Sequence, residues 1–128
     1  MRGALIFTKT EQVFPELMTY LRGLGYPYVG GQATGHDGEL GGICMDPNGE
    51  FPCAFYGRGK DASYFDEFEI PESARMQGYK LGYLVECRSE EFFCKLLRAT
   101  PPSIDILICD TNGKLYKPIE LNPNNIVL

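Results

Sequence analysis

The chain is short of the residues that demanding chemistry uses. It holds one histidine, His36, and five cysteines, at positions 44, 53, 87, 94 and 109. The cysteine count is odd and no pair is spaced C-x-x-C. Neither a disulfide framework nor a zinc knuckle is expected from such a set. Most of the cysteines sit in apolar runs such as 104–109, so buried, reduced thiols in a cytosolic core are expected. No G-x-x-x-x-G-K-[ST] loop is present, and Gly23-Leu24-Gly25 marks a helix end rather than a dinucleotide fingerprint.

Positive charge is also scarce. Twelve Lys and Arg stand against seventeen Asp and Glu, a net charge of −5. Phosphate backbones need a basic surface, so nucleic acid is not the expected partner, and neither is an anionic membrane. No apolar run approaches the roughly 20 residues of a membrane-spanning helix. The opening segment has only Ala4, Leu5, Ile6 and Phe7 as its apolar stretch before Thr8. That is too short for a secretory leader, and a cytoplasmic location is expected.

What is present is an ordinary globular composition. Apolar residues make up 44% and charged residues 23% of 128 positions, which fits one domain, residues 1–128. Residues 4–8 read as a buried strand. Phe14, Leu17, Met18 and Leu21 then recur at helical spacing, with Pro15 in the first turn and Gly23 and Gly25 beyond the end. Residues 26–29 read as a short strand. The stretch 30–42 contains six glycines and reads as a flexible loop. Asp46-Pro47-Asn48-Gly49 is a turn between strands at 43–45 and 50–56.

Residues 64–70 alternate as a strand ended by Pro71, and 71–78 reads as a loop or single helical turn. A strand is expected at 81–87. Ser89 caps a second helix with Glu90 and Glu91 in its first turn, and Phe92, Phe93, Leu96 and Leu97 form its apolar face. Residues 104–109 form the most hydrophobic strand, expected in the interior of the sheet. Asp110-Thr111-Asn112-Gly113 turns it into a strand at 114–119, and 126–128 is expected to dock as an edge strand.

The two halves resemble each other. Residues 4–18 laid over 83–97 without gaps match at Leu5/Leu84, Glu11/Glu90, Phe14/Phe93 and Leu17/Leu96. Each half then reaches an Ile-Cys pair and an Asp-x-Asn-Gly turn. Duplication and shared periodicity both account for this. The expected fold is α+β: a mixed, mostly antiparallel sheet of six or more strands, with two helices on one face, from two βαββ-like units. The units span about 4–56 and 80–119, joined by an acidic segment at 57–79.

Candidate site residues follow from charge. Asp61, Asp66, Glu67, Glu69 and Glu72 fall in one stretch without Lys or Arg, interleaved with Tyr64, Phe65 and Phe68. Carboxylates steer a basic protein toward the surface, and aromatic side chains supply contact area. The same pattern suits a solvated edge strand protected from aggregation. His36, Asp37 and Glu39 lie together in the glycine-rich stretch. One imidazole and two carboxylates in a loop fall short of a metal-ligand set. No thiol is set up to pair with His36 as a nucleophile. These three are therefore grouped with the partner-binding residues, and no catalytic residue, metal or cofactor is expected.

The last third, from Tyr83-Leu84-Val85-Glu86-Cys87 through the helix at Ser89 to Thr111-Asn112-Gly113-Lys114-Leu115-Tyr116, resembles the immunity proteins of bacterial polymorphic-toxin and contact-dependent growth inhibition systems. The resemblance implies a protein that binds a cognate toxin with a basic surface, often a nuclease, and blocks its active site; a monomer or weak homodimer is expected. Leu21-Arg22-Gly23-Leu24-Gly25-Tyr26 and the turn at Asp46 are similar to the vicinal oxygen chelate superfamily of glyoxalase and bleomycin-resistance proteins. That likeness implies a small-molecule binder. Leu5, Ile6 and Phe7 stand where that family's metal ligands begin, so the implied member is metal-free.

Overall fold

The computed structural model of the chain describes residues 3–32, 39–46, 52–58 and 70–128. Strand β1, Gly3–Thr8, leads into helix α1, Val13–Arg22. Phe14, Leu17, Met18 and Leu21 of α1 are all buried, as their spacing dictates. Strands β2 (Tyr28–Gln32), β3 (Glu39–Met45) and β4 (Pro52–Arg58) form a meander. A one-turn helix α2, Glu72–Arg75, precedes β5, Leu81–Cys87. Helix α3, Glu90–Leu97, starts at Ser89, whose hydroxyl accepts from the backbone N–H of Phe92 at 3.1 Å. Strands β6 (Ile106–Cys109) and β7 (Leu115–Tyr116) follow, then a 3-10 turn at Pro118–Glu120.

The strands form one seven-stranded open sheet in the order β2-β3-β4-β5-β1-β6-β7. The expected class, sheet size and placement of the two main helices hold. All six pairings are antiparallel, so no parallel pair occurs among the described residues. A parallel neighbour would require the chain to return beside β1 after α1. It crosses to the far edge instead, and β1 pairs with β5 and β6.

Helices α1 and α3 cover one side. Ala4 and Ile6 of β1, Tyr83, Val85 and Cys87 of β5, Cys53 and Phe55 of β4, and Ile106 and Ile108 of β6 face them in the main core. The Phe14 ring stacks on Tyr83 at 4.0 Å, and Tyr26 meets Phe92 edge-on at 5.5 Å. A smaller cluster lies on the opposite side, where Ile70, Ala74 and Tyr79 pack with Phe7, Leu107 and Cys109.

Several expectations change. Gly30, Gly31, Gly41 and Gly42, expected in a loop, are strand residues: Gly30 pairs with Gly42 and Gly31 with Gly41. The Tyr28 ring lies over Gly42, where an added Cβ would stand 2.1 Å from the phenolic oxygen. A large aromatic covering a cross-strand glycine restores the packing that glycine lacks. The strand expected at 114–119 is limited to Leu115–Tyr116, because Pro118 has no N–H to donate. Residues 126–128 dock without forming a strand. Thr111 N donates to Val127 O at 2.9 Å, while Ile126 and Leu128 are buried in the main core.

The matched residues Leu5 and Leu84 are direct partners across the central β1–β5 pair. Beyond that pair the halves diverge. Strand β6 lies beside β1, whereas β3, its counterpart by sequence, is separated from β5 by β4. The strand expected at 64–70 lies outside the described residues except for Ile70, as does most of the turn at 46–49.

Candidate functional site

Alternate residues of a strand share a face, so the antiparallel registers lay out the side of the sheet opposite α1 and α3. One row of partners runs Val29, Ile43, Ala54, Glu86 and Gly3, across β2, β3, β4, β5 and β1. The next runs Tyr56, Leu84, Leu5, Cys109 and Leu115. A third, Gly82, Phe7 and Leu107, lies where the 70–79 segment packs. The first row is therefore away from that cover. Val29 is 67% exposed and Ile43 37% exposed.

A groove of about 390 Å³ is set into this face over the central strands. Leu5 and Leu84 are part of its lining, with Cys109, Thr111, Gly3 and Glu86 around them. Gly3 has a fixed reason to be glycine. A Cβ there would stand 2.2 Å from the carbonyl oxygen of Val85, and backbone cannot yield as a side chain can. Thr111 closes one end by donating from its hydroxyl to Gly3 O at 3.2 Å. Glu86 is half-buried on the sheet's central strand. It forms no hydrogen bond or ion pair through its side chain among the described residues.

Asp110, also in the groove's lining, is a different kind of carboxylate. It is 4% exposed and its two oxygens take four donors. Asn112 N and Lys114 N each donate to Oδ1 at 3.0 Å, and Tyr116 Oη and Val127 N donate to Oδ2 at 3.1 and 3.3 Å. Burial and the bond to Asp110 push the Tyr116 phenol up to about 12. This hub holds the β6–β7 turn and the C-terminal segment, leaving Asp110 nothing to offer a ligand.

A second polar cluster stands at the other end of the same strands. Lys9 follows β1, Tyr79 precedes β5, Asp105 precedes β6 and Lys117 follows β7. Antiparallel pairing brings these four positions together. Tyr79 donates to Asp105 Oδ1 at 2.6 Å and accepts from Lys117. Lys9 pairs with Asp105 Oδ2 at 3.1 Å and Lys117 with Oδ1 at 3.5 Å. Both ammonium groups lie about 5 Å from the Tyr79 ring centre. Burial alone would raise the Asp105 pKa. The Tyr79 hydrogen bond and the two lysines outweigh it and hold the carboxyl below its usual value. Burial and the Asp105 bond raise the Tyr79 phenol, and the Tyr79 bond raises Lys117.

The residues singled out from sequence fall unevenly. Glu72 is exposed at the first position of α2. Glu39 opens β3, its Cα opposite Arg58. Asp61, Tyr64, Asp66, Glu67, Phe68, Glu69, His36 and Asp37 lie outside the described residues. Sequence reasoning passed over Glu86 because it sits in the apolar run 83–87. The available signal was alternation: Tyr83, Val85 and Cys87 are buried while Leu84 and Glu86 are only half-buried. No group of three or more His, Cys, Asp or Glu side chains able to hold a metal ion occurs among the described residues. Comparisons with protein-family models, curated proteins and solved structures find no match for the chain.

Proposed function

We propose that the protein is a non-enzymatic binding protein of the immunity type. It captures a cognate bacterial toxin with a basic surface, a nuclease in the form the resemblance implies, and occludes its active site or substrate surface. The observation that carries this reading is the acidic stretch 61–72, with five carboxylates, no Lys or Arg and three interleaved aromatics. Its C-terminal end is anchored on the sheet, since Ile70 is 1% exposed in the cluster with Phe7 and Leu107. A run of acidic residues on a protein of net charge −5 accelerates encounter with a basic partner and selects against acidic ones.

Co-expression with the product of the neighbouring open reading frame tests this. A stable stoichiometric complex that silences a toxic activity is the expected result. Replacing Asp66, Glu67 and Glu69 by Asn, Gln and Gln is expected to slow association about tenfold at low salt. Failure to form any such complex overturns the toxin reading.

The groove supports a second reading, a metal-free small-molecule binder. Its volume of about 390 Å³ lies within the range of about 300–1,000 Å³ found for ligand sites. Saturable binding of a small hydrophobic compound, with no protein partner, would favour it.

A further inference from the structure

The groove over β1 and β5 has two carboxylates in its lining, Glu86 and Asp110. Asp110 is filled by four protein donors, which leaves Glu86 as the available charge beside an apolar floor, and that combination specifies a ligand. We infer that the groove binds a small organic cation, an ammonium group carried on an apolar body, with Glu86 as the counter-ion. This rests on the second reading above, that the groove takes a small molecule, and is independent of any toxin.

Strand β5 is the middle strand of seven, and Glu86 is half-buried there without an ion pair among the described residues. Its cross-strand partners are Ala54 and Gly3, and on the Gly3 side the carboxylate borders the groove. Leu84 stands two residues before it on the same face, with Leu5 opposite Leu84. These two leucines supply the apolar contact, and Glu86 rises at their edge. A ligand with an apolar body on the leucines would bring its charged end to the carboxylate.

The other charged groups nearby do not compete. Asp110 has its oxygens filled by four protein donors. Lys9 and Lys117 lie at the opposite end of the strands and are engaged with Asp105 and Tyr79. An anion therefore finds no complementary charge beside Glu86 among the described residues.

Isothermal titration calorimetry with three probes of similar size tests the assignment: 2-phenylethylamine, 2-phenylethanol and 3-phenylpropionate. The amine is expected to bind at one site at least tenfold more tightly than the alcohol, and the carboxylate not at all. Glu86→Gln is expected to weaken the amine about tenfold or more, as loss of a charged hydrogen bond implies, and to leave the alcohol unchanged. Leu84→Ser should weaken amine and alcohol alike. Raising salt to about 0.5 M should weaken the amine several-fold and spare the alcohol, a readout on the unaltered protein. If amine and alcohol bind equally, the cation assignment is wrong and the small-molecule reading stands. If none of the three binds at millimolar concentration, both fall.

Discussion

Asp110 shows how much one side chain can hold. Its carboxylate satisfies two backbone groups of the β6–β7 turn, the Tyr116 hydroxyl and the backbone of Val127. Asp110→Ala would leave three backbone donors, Asn112 N, Lys114 N and Val127 N, without their acceptor, while the Tyr116 hydroxyl keeps the carbonyl oxygen of Asn125 at 3.1 Å. The expected loss is about 3 kcal/mol, since buried donors left unmade cost about 1–3 kcal/mol each and water reaches some of them. Urea unfolding of the variant measures it, and a change below about 0.5 kcal/mol would show the hub to be dispensable. The thiols give a second residue-scale expectation. None of the five cysteines is in a disulfide and all are buried, and burial pushes Cys44 and Cys94 each up to about 11 and Cys53 well above its usual value. Thiolate is the reactive form. A chromogenic disulfide reagent at neutral pH should find no fast-reacting cysteine in the native protein and five after unfolding. A single rapid equivalent before unfolding would contradict the buried placement.

At the scale of elements, periodic segments were legible in the sequence and glycine-rich ones were not. The spacing of Phe14, Leu17, Met18 and Leu21 identifies the buried side of α1, and Ser89 identifies the start of α3, because both depend on local chemistry. The strand character of Gly30, Gly31, Gly41 and Gly42 was hidden, because glycine shows no alternation. It is the Tyr28 ring from the neighbouring strand that covers Gly42. That contact makes a prediction. Gly42→Ala would displace the ring and destabilise the protein by about 1–3 kcal/mol, and Tyr28→Ala should remove most of the added penalty in a double-mutant cycle. Additive effects in urea unfolding would mean the ring does not need the space. The open row of the sheet was hidden for another reason. Alternation along β5 separates Leu84 and Glu86 from Tyr83 and Val85, but it cannot say which side remains open. That depends on where Ile70, Ala74 and Tyr79 pack, a matter of tertiary structure.

For the whole molecule, the sheet order decides what binds the fold together. The Lys9–Tyr79–Asp105–Lys117 cluster joins the ends of four strands that are far apart in sequence. Asp105 has a lower pKa folded than unfolded, so the unfolded chain binds its proton first as pH falls. Its contribution is present above the ordinary carboxylate range and is lost as pH drops through the folded value. Asp105 is 38% exposed, and solvent screening keeps the effect small. Unfolding midpoints measured from about pH 6 to pH 3 should fall less steeply in Asp105→Asn than in the parent, and about 0.5 M salt should narrow the difference. Identical slopes would assign acid sensitivity to other carboxylates.

The central position of β1 also has a consequence in time. The chain makes this strand first, yet its partners are β5, ending at Cys87, and β6, ending at Cys109. At synthesis rates of about 5–20 residues per second, β1 waits roughly 5–20 s before its second neighbour exists. Until β5 is made, Ile6 and Phe7, both fully buried in the finished protein, have no partner strand beside them. The nascent chain is thus most vulnerable to misassembly before β5 and β6 are made.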